Sequence, residues 1–429
     1  MKRYSWLLFG LFLLLTPKPA AAERRFVVRT NLGLSGLEQV CLLHTCSVVR
    51  TLDGTLGQVF LVTTSNLINP NLFLDLLRLV PGIIHAELDQ LFTITSSLAT
   101  VTTIPGELLQ TNLVDLSGNQ VWYGYAYQPA AQIVRVSDAQ NSFNVTGAGV
   151  VADIDTGVDP THPALAGVLL TGYDFTRNQP GASELLDYPF TPPAPCPDCQ
   201  AAIVNQSTAA VLDQSTAAVL DGTPYAAFGH GTMVVGVIHL VAPSAMILPL
   251  KAFRSDGTGY LSDILRAIYY AVQNNANVIN MSFDFTASSQ EMATAIGYAN
   301  QNNVILVASA GNDGQNECVY PASLANVMGV ASTSDLDTRS SFSNYGSDVW
   351  VAAPGEGIVT TYPFGTYAAG WGTSFSAPFV SGGASLLLNA NVSLGPAGAA
   401  QAIAHAKQLT PNLGNGRLDL SQALGSLDQ

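Results

Sequence analysis

Residues 277–309 read NVINMSFDFTASSQEMATAIGYANQNNVILVAS. A short β-branched run (277–283) gives way to a helical stretch (288–302) and then to a second apolar run (304–309). Two apolar strands joined by a helix form a βαβ unit, whose crossover leaves the strands parallel. The pattern extends to both sides. Residues 246–253 read as a strand, and 261–274 as a helix with Ile264, Leu265, Ile268 and Val272 on one face. Residues 326–331 read as a further strand. This alternation predicts an α/β fold built on a doubly wound, mostly parallel sheet. Only 11% of the 429 residues are charged and 48% are hydrophobic, which suits strands buried on both faces. Functional residues of such sheets are expected at the carboxyl ends of strands.

Three segments carry chemistry. Val150-Val151-Ala152-Asp153-Ile154-Asp155-Thr156-Gly157 is a strand ending in an acid and a glycine turn. Phe228-Gly229-His230-Gly231-Thr232 opens an apolar helical run. Gly372-Thr373-Ser374-Phe375-Ser376-Ala377-Pro378 leads into another, extending to residue 390. A serine at a helix start has a backbone N–H without an intrahelical partner, which suits a nucleophile whose own N–H helps hold an oxyanion. Each segment has a plainer reading by itself. Ser374 fits a helix cap, and His230 fits a capping core histidine. Gly311-Asn312-Asp313-Gly314 is strong turn chemistry. Asp-Thr-Gly also occurs in aspartic proteases, but a second copy for the partner carboxylate is missing from the sequence. Taken together, Asp155, His230 and Ser374 are the parts of a Ser-His-Asp triad.

The motifs identify a resemblance. Asp155-Thr156-Gly157-Val158-Asp159, Gly229-His230-Gly231-Thr232, Ala308-Ser309-Ala310-Gly311-Asn312 and Gly372-Thr373-Ser374-Phe375-Ser376-Ala377-Pro378 resemble the aspartate, histidine, oxyanion and serine motifs of subtilisin-like serine proteases, the subtilases. Val278-Ile279-Asn280-Met281-Ser282 resembles their substrate-lining strand. The resemblance runs from about residue 121 to the C-terminus and implies a role for each matched residue. Ser374 attacks a peptide carbonyl, His230 shuttles its proton and Asp155 orients His230. Asn312 donates to the oxyanion. Ser282, Phe283, Asp284, Ala310 and Gly311 line the substrate groove.

Two departures stand out. Asp284 and Phe285 occupy positions where the family usually has glycines. Asp284 either favours a basic side chain before the scissile bond or points to solvent and leaves specificity broad and apolar. The family's tight calcium site uses an aspartate shortly after a His-Pro pair. Here that position is Ala164, and the Asn-containing loop after the histidine helix is also missing. That site is therefore expected to be absent, and the reading includes neither metal nor cofactor.

The remaining segments suggest an exported precursor. Lys2 and Arg3 precede a short apolar run and Ala20-Ala21-Ala22, which reads as a signal peptide over 1–22. Residues 23–95 alternate strand and helix (strands near 25–29, 57–63 and 83–90, a helix over 69–79) as a small α+β domain. It resembles the inhibitory propeptide of subtilases, an intramolecular partner that is later cut away. Residues 96–120 read as an irregular junction containing the processing site. Residues 121–429 are the catalytic domain, with 172–223 as an inserted surface loop that holds an exact duplication, 206–213 repeated as 214–221. Of the five cysteines, Cys41 and Cys46 could pair, Cys196 and Cys199 could form a small loop, and Cys318 is left over. His44, His85, His162, His239 and His405 are read as structural. A net charge of −14 without a basic block argues against nucleic acid as a partner. No run after the signal reaches the roughly 20 apolar residues of a membrane span. The sequence thus reads as a secreted serine endopeptidase, extracellular or periplasmic, acting on polypeptides. The alternative from another class is a catalytically impaired pseudo-protease that acts as a secreted binding protein.

Overall fold

A computed structural model describes residues 23–94, 105–187, 211–213, 227–317 and 319–428, with backbone only for 211–213 and 428. The chain forms two compact units: residues up to Thr51 with Gln58–Leu88, and Leu52–Gly57 with Asp89 onward.

The smaller unit is an antiparallel four-stranded sheet in the order Cys46–Thr51, Val59–Thr64, Arg24–Thr30, Ile83–Leu88. Its core gathers Phe26, Val28, Leu37, Phe60, Val62, Phe73 and Leu77. The helix Pro70–Arg78 begins where the sequence pattern places it. Asn69 accepts hydrogen bonds from the N–H of Asn71 (3.0 Å) and Leu72 (3.3 Å), and Pro70 fills the first helical position. The helix Gly33–His44 and the strand Cys46–Thr51 are not announced by residues 33–51. Leu34, Leu42 and Leu43 are exposed, so the apolar residues of that helix do not form a clean stripe. A Cys41–Cys46 disulfide ties the helix to the next strand across Thr45.

The larger unit carries an eight-stranded sheet in the order Gln179–Pro180, Tyr173–Asp174, Met246–Lys251, Val150–Asp155, Val278–Met281, Ile305–Ser309, Val327–Thr333, Val349–Pro354. All neighbours are parallel except the first pair. Winding proceeds both ways from Val150–Asp155, so this strand marks the topological switch point. Helices His230–Val241 and Thr373–Ala390 pack against each other and the sheet, and Leu261–Gln273 packs on Gln290–Gln301. The sequence-derived α/β class and parallel sheet are thus observed.

Two local expectations need correction. Residues 113–122 are a hairpin rather than irregular chain. Leu113–Leu116 pairs with Asn119–Trp122 around Ser117-Gly118, both at positive φ (52° and 94°) as a primed turn requires. The inserted segment is also not wholly superficial. Tyr173–Asp174 and Gln179–Pro180 extend the sheet edge, and Glu184 is fully buried because it serves as an acceptor for the histidine helix. The backbone of Val211–Asp213, inside the duplicated stretch, runs parallel to Thr366–Trp371. The Pro-rich run with Cys196 and Cys199, most of the duplication, Cys318, the signal segment and residues 95–104 lie outside the described residues.

Candidate active site

Asp155 ends the switch-point strand and is 1% exposed. Its Oδ1 accepts the Thr156 N–H at 2.6 Å. Both carboxylate oxygens lie on His230 Nδ1, at 2.7 and 2.9 Å. His230 is the first residue of its helix. Gly229 before it sits at φ 90°, and a Cβ there would stand 2.2 Å from the Tyr362 ring, so only glycine fits. Glu184 holds the helix start in place. It accepts the N–H of Gly229 (2.8 Å) and Thr232 (3.2 Å) together with the hydroxyls of Thr156 and Thr232. Burial pushes this carboxyl up to about 8, against the hydrogen bonds from Thr232 and Gly229 and the charge of Lys251. Lys251, also fully buried, donates to the carbonyls of Thr156 (2.6 Å) and Phe253 (2.8 Å) and to Asp187 (2.8 Å). It thereby fixes the turn that follows Asp155.

Ser374 is the second residue of the helix Thr373–Ala390 and fully buried. Its Oγ donates to the Ser282 carbonyl at 2.9 Å, while Ser282 Oγ donates back to the Ser374 carbonyl at 2.9 Å. His230 Nε2, the ring atom that faces away from Asp155, makes no hydrogen bond. Asn312 follows the strand Ile305–Ser309 through Gly311, which sits at φ 97°. Its Oδ1 accepts both the Thr373 N–H (2.8 Å) and the Thr373 hydroxyl (3.0 Å), which assigns the opposite end of the amide as the donor end.

The expected groove residues divide into two groups. Ser282 spends its hydroxyl on the serine segment, and Phe283 is buried, its ring 5.0 Å from that of Phe253. Asp284 is partly buried and lies against Gly311 instead of pointing to solvent: a Cβ on Gly311 would stand 3.2 Å from its Oδ2. Burial, then Asp313 and Glu317, push its carboxyl up to about 7. Beside Ala310 is a small cleft lined by Ala310, Glu317, Val319, Asn344, Tyr345 and Asp348, among others. Residues 91–94 pair along another edge of the larger unit. Leu91–Thr93 pairs antiparallel with Thr258–Tyr260, Ile94 donates to the Gly257 carbonyl at 3.0 Å, and Phe92 stacks on Phe285 at 3.8 Å.

His162 behaves as the structural residue expected. Its Nδ1 accepts the Ala164 N–H at 3.2 Å, and its Nε2 meets the Thr366 carbonyl at 2.8 Å. His239 is fully buried with neither ring nitrogen bonded, and burial, then His162, lowers it to about 4. The Ala164 side chain is a buried methyl, and its carbonyl accepts from Asn119 Nδ2 at 3.3 Å. Sequence reasoning missed Asp153, Glu184, Lys251, Asn280 and Thr373. Asp153 had a signal, since an acid inside a strand buried on both faces must have a partner. Thr373 and Glu184 had none, because their partners are distant in sequence.

The Subtilase family model (Peptidase_S8) matches residues 147–425. Thermitase from Thermoactinomyces vulgaris is 34% identical over 247 residues, covering 55% of this chain and 74% of that protein. Subtilisin BL from Lederbergia lenta is 37% identical over 174 residues, but only 38% of this chain and 65% of that protein are covered. Among solved structures, a cold adapted subtilisin-like serine proteinase aligns with a TM-score of 0.52 at 29% identity, over 64% of this chain and 90% of the other. A lanthipeptide protease shares the fold alone, with a TM-score of 0.56 at 22% identity over 70% of this chain and 98% of the other. The chain is a member of the subtilase family, a subtilisin-like serine endopeptidase.

Proposed function

We propose that this protein is a secreted endopeptidase made as a self-inhibited precursor, with Ser374 as nucleophile, His230 as general base and acid, and Asp155 as the group that orients His230. The observation that carries the assignment is the polarised imidazole. Nδ1 is held by both oxygens of Asp155, so the ring's basic site is Nε2, which makes no hydrogen bond. In the reaction Ser374 Oγ would leave the Ser282 carbonyl and give its proton to that nitrogen. The Ser374 N–H and the Asn312 side chain would then hold the tetrahedral oxyanion. Two helix N-termini, those starting at His230 and Thr373, favour the same developing negative charge. Among the described residues no group of three or more His, Cys, Asp or Glu could hold a metal.

Substrate polypeptide would add as a strand beside Thr258–Tyr260, the edge that Leu91–Thr93 uses in the precursor. Self-inhibition rests on that occupancy: the chain's own segment takes the place of substrate until it is cut. Secretion rests on the signal pattern of residues 1–22. The test is the intact mass of the secreted protein, wild type beside Ser374→Ala. Wild type is expected to lose its N-terminal segment and the variant to keep it. If both keep it, and added wild-type subtilisin does not release activity, the pseudo-protease reading replaces this one.

A further inference from the structure

We propose that Asp153 is a positioning residue for the nucleophile, acting through Asn280 and Ser282; this rests on Ser374 being that nucleophile. Asp153 precedes Asp155 by two residues on the same strand, so both side chains leave one face of the sheet. It is 1% exposed. Its Oδ1 accepts from Asn280 Nδ2 at 2.9 Å. The same Nδ2 donates to Ser282 Oγ at 2.9 Å, so both amide hydrogens are used. Asn280 Oδ1 accepts from Ser381 Oγ at 2.7 Å, two turns along the helix that carries Ser374. Ser282 then exchanges its two bonds with Ser374, hydroxyl to carbonyl in each direction.

This chain of bonds is directional. Ser282 Oγ has one hydrogen, and it goes to the Ser374 carbonyl because the oxygen already accepts from Asn280. Asn280 keeps its orientation because each end of the amide has a fixed partner. Asp153 supplies the acceptor for the one amide hydrogen of Asn280 that does not go to Ser282. Without it, the amide can turn, Ser282 can rotate, and the backbone of Ser374 loses its donor. A displacement of about 1 Å at a reacting atom can cost a hundredfold in rate.

A buried carboxyl so near Asp155 would be expensive as a second negative charge. Burial first, then the Asp155 charge, hold the proton on Asp153 well above the ordinary carboxylate range, with Asn280 opposing and Glu184 adding. A neutral carboxyl still accepts through its carbonyl oxygen. An amide of the same shape should therefore substitute for it, and an apolar isostere should not.

The experiment compares processed wild type, Asp153→Asn and Asp153→Leu. It measures kcat and KM on a peptide substrate, and the rate at which a fluorophosphonate labels Ser374. The Leu variant is expected to lose about tenfold to a hundredfold in kcat and in labelling rate, with KM within about twofold. The Asn variant is expected to stay within about threefold on all three, with the acid limb of its pH profile unmoved. A merely structural residue would change melting temperature and leave kcat and labelling intact in folded enzyme, which would overturn the proposal. Equal losses in Asn and Leu would overturn it too, since charge rather than an acceptor would then matter. If Asp153→Leu does not fold, Ser381→Ala loosens Asn280 from its other end, and an unchanged kcat there refutes the positioning chain. Absence of labelling in wild type would sink the nucleophile assignment itself, a different outcome from wild-type labelling that persists in the Leu variant.

Discussion

Removing the Asn312 side chain separates catalysis from stability in a way the geometry specifies. Its Oδ1 holds the Thr373 N–H and hydroxyl, and its donor end is the one proposed to serve the oxyanion. Asn312→Ala removes both functions. Loss of one oxyanion donor costs about 10²–10³ in kcat, about 2.7–4 kcal/mol of transition-state binding. Two buried Thr373 donors also lose their acceptor, at about 1–3 kcal/mol each, so the folded state weakens by about 2–6 kcal/mol. Water entering the vacated space would keep the loss at the lower end. Asn312→Asp keeps an acceptor for Thr373 but replaces the donor with a second oxygen. It should lose at least as much kcat while retaining more of the melting temperature. Both variants would be processed in trans by wild-type enzyme, repurified and assayed for kcat per fluorophosphonate-titrated site, with Ser374→Ala treated identically as the blank. The reasoning is refuted if Asn312→Ala keeps kcat within about threefold of wild type. It also fails if kcat loss simply tracks melting temperature across the two variants.

Other outcomes follow from the same structure. Asp284→Gly removes a carboxyl that lies against Gly311, so cleavage profiling should show lower preference for cationic side chains before the cut; an unchanged profile means the carboxyl does not meet substrate. Glu184 is raised from 4.5 to about 8, so the folded chain keeps a proton that the unfolded chain gives up within that window. Its contribution is present below pH 4.5 and lost as pH climbs toward 8, by the order of a few kcal/mol. Glu184→Gln should flatten the decline of melting temperature between pH 5 and pH 8 in Ser374→Ala precursor, and a parallel decline in both proteins would count against it. His239, lowered from 6.5 to about 4, acts oppositely: its contribution is present above pH 6.5 and lost as pH falls toward 4, so His239→Leu should resist acid unfolding better than its parent. Cys41→Ser opens a disulfide spanning a separation of 5 residues, which should destabilise the smaller unit by about 2 kcal/mol in urea titration.

The parallel sheet was legible because its strands are short, apolar and spaced by helical periodicity. The strand Val278–Met281 and helix Gln290–Gln301 fall inside the runs read from residues 277–309. Asp155, His230, Ser374 and Asn312 were legible because each sits at an element boundary marked by glycine. The helix Gly33–His44 was not, since its leucines face solvent as often as core. The role of Glu184 was also hidden. An acid in a polar, Pro-rich insertion reads as a solvated surface residue, and only the fold brings it to the backbone N–H groups of Gly229 and Thr232. Phe283 and Ser282 were placed in the groove by their position in the motif. Both side chains are buried, that of Phe283 beside Phe253 and that of Ser282 on the Ser374 carbonyl.

The site's location follows from topology. Val150–Asp155 lies between Met246–Lys251 and Val278–Met281, and the chain leaves it in opposite directions across the sheet. Crossovers therefore part above its carboxyl end, leaving a crevice. The helices His230–Val241 and Thr373–Ala390 pack side by side, so two helix N-termini, with their positive dipole ends, belong to neighbouring elements. Those positive ends suit a developing anion, while burial and the neighbouring Asp155 charge penalise a second permanent one on the strand. That explains why the charge of Asp155 is matched by His230, while Asp153, the next inward-facing residue on the same strand, is held as a neutral acceptor that orders the serine segment.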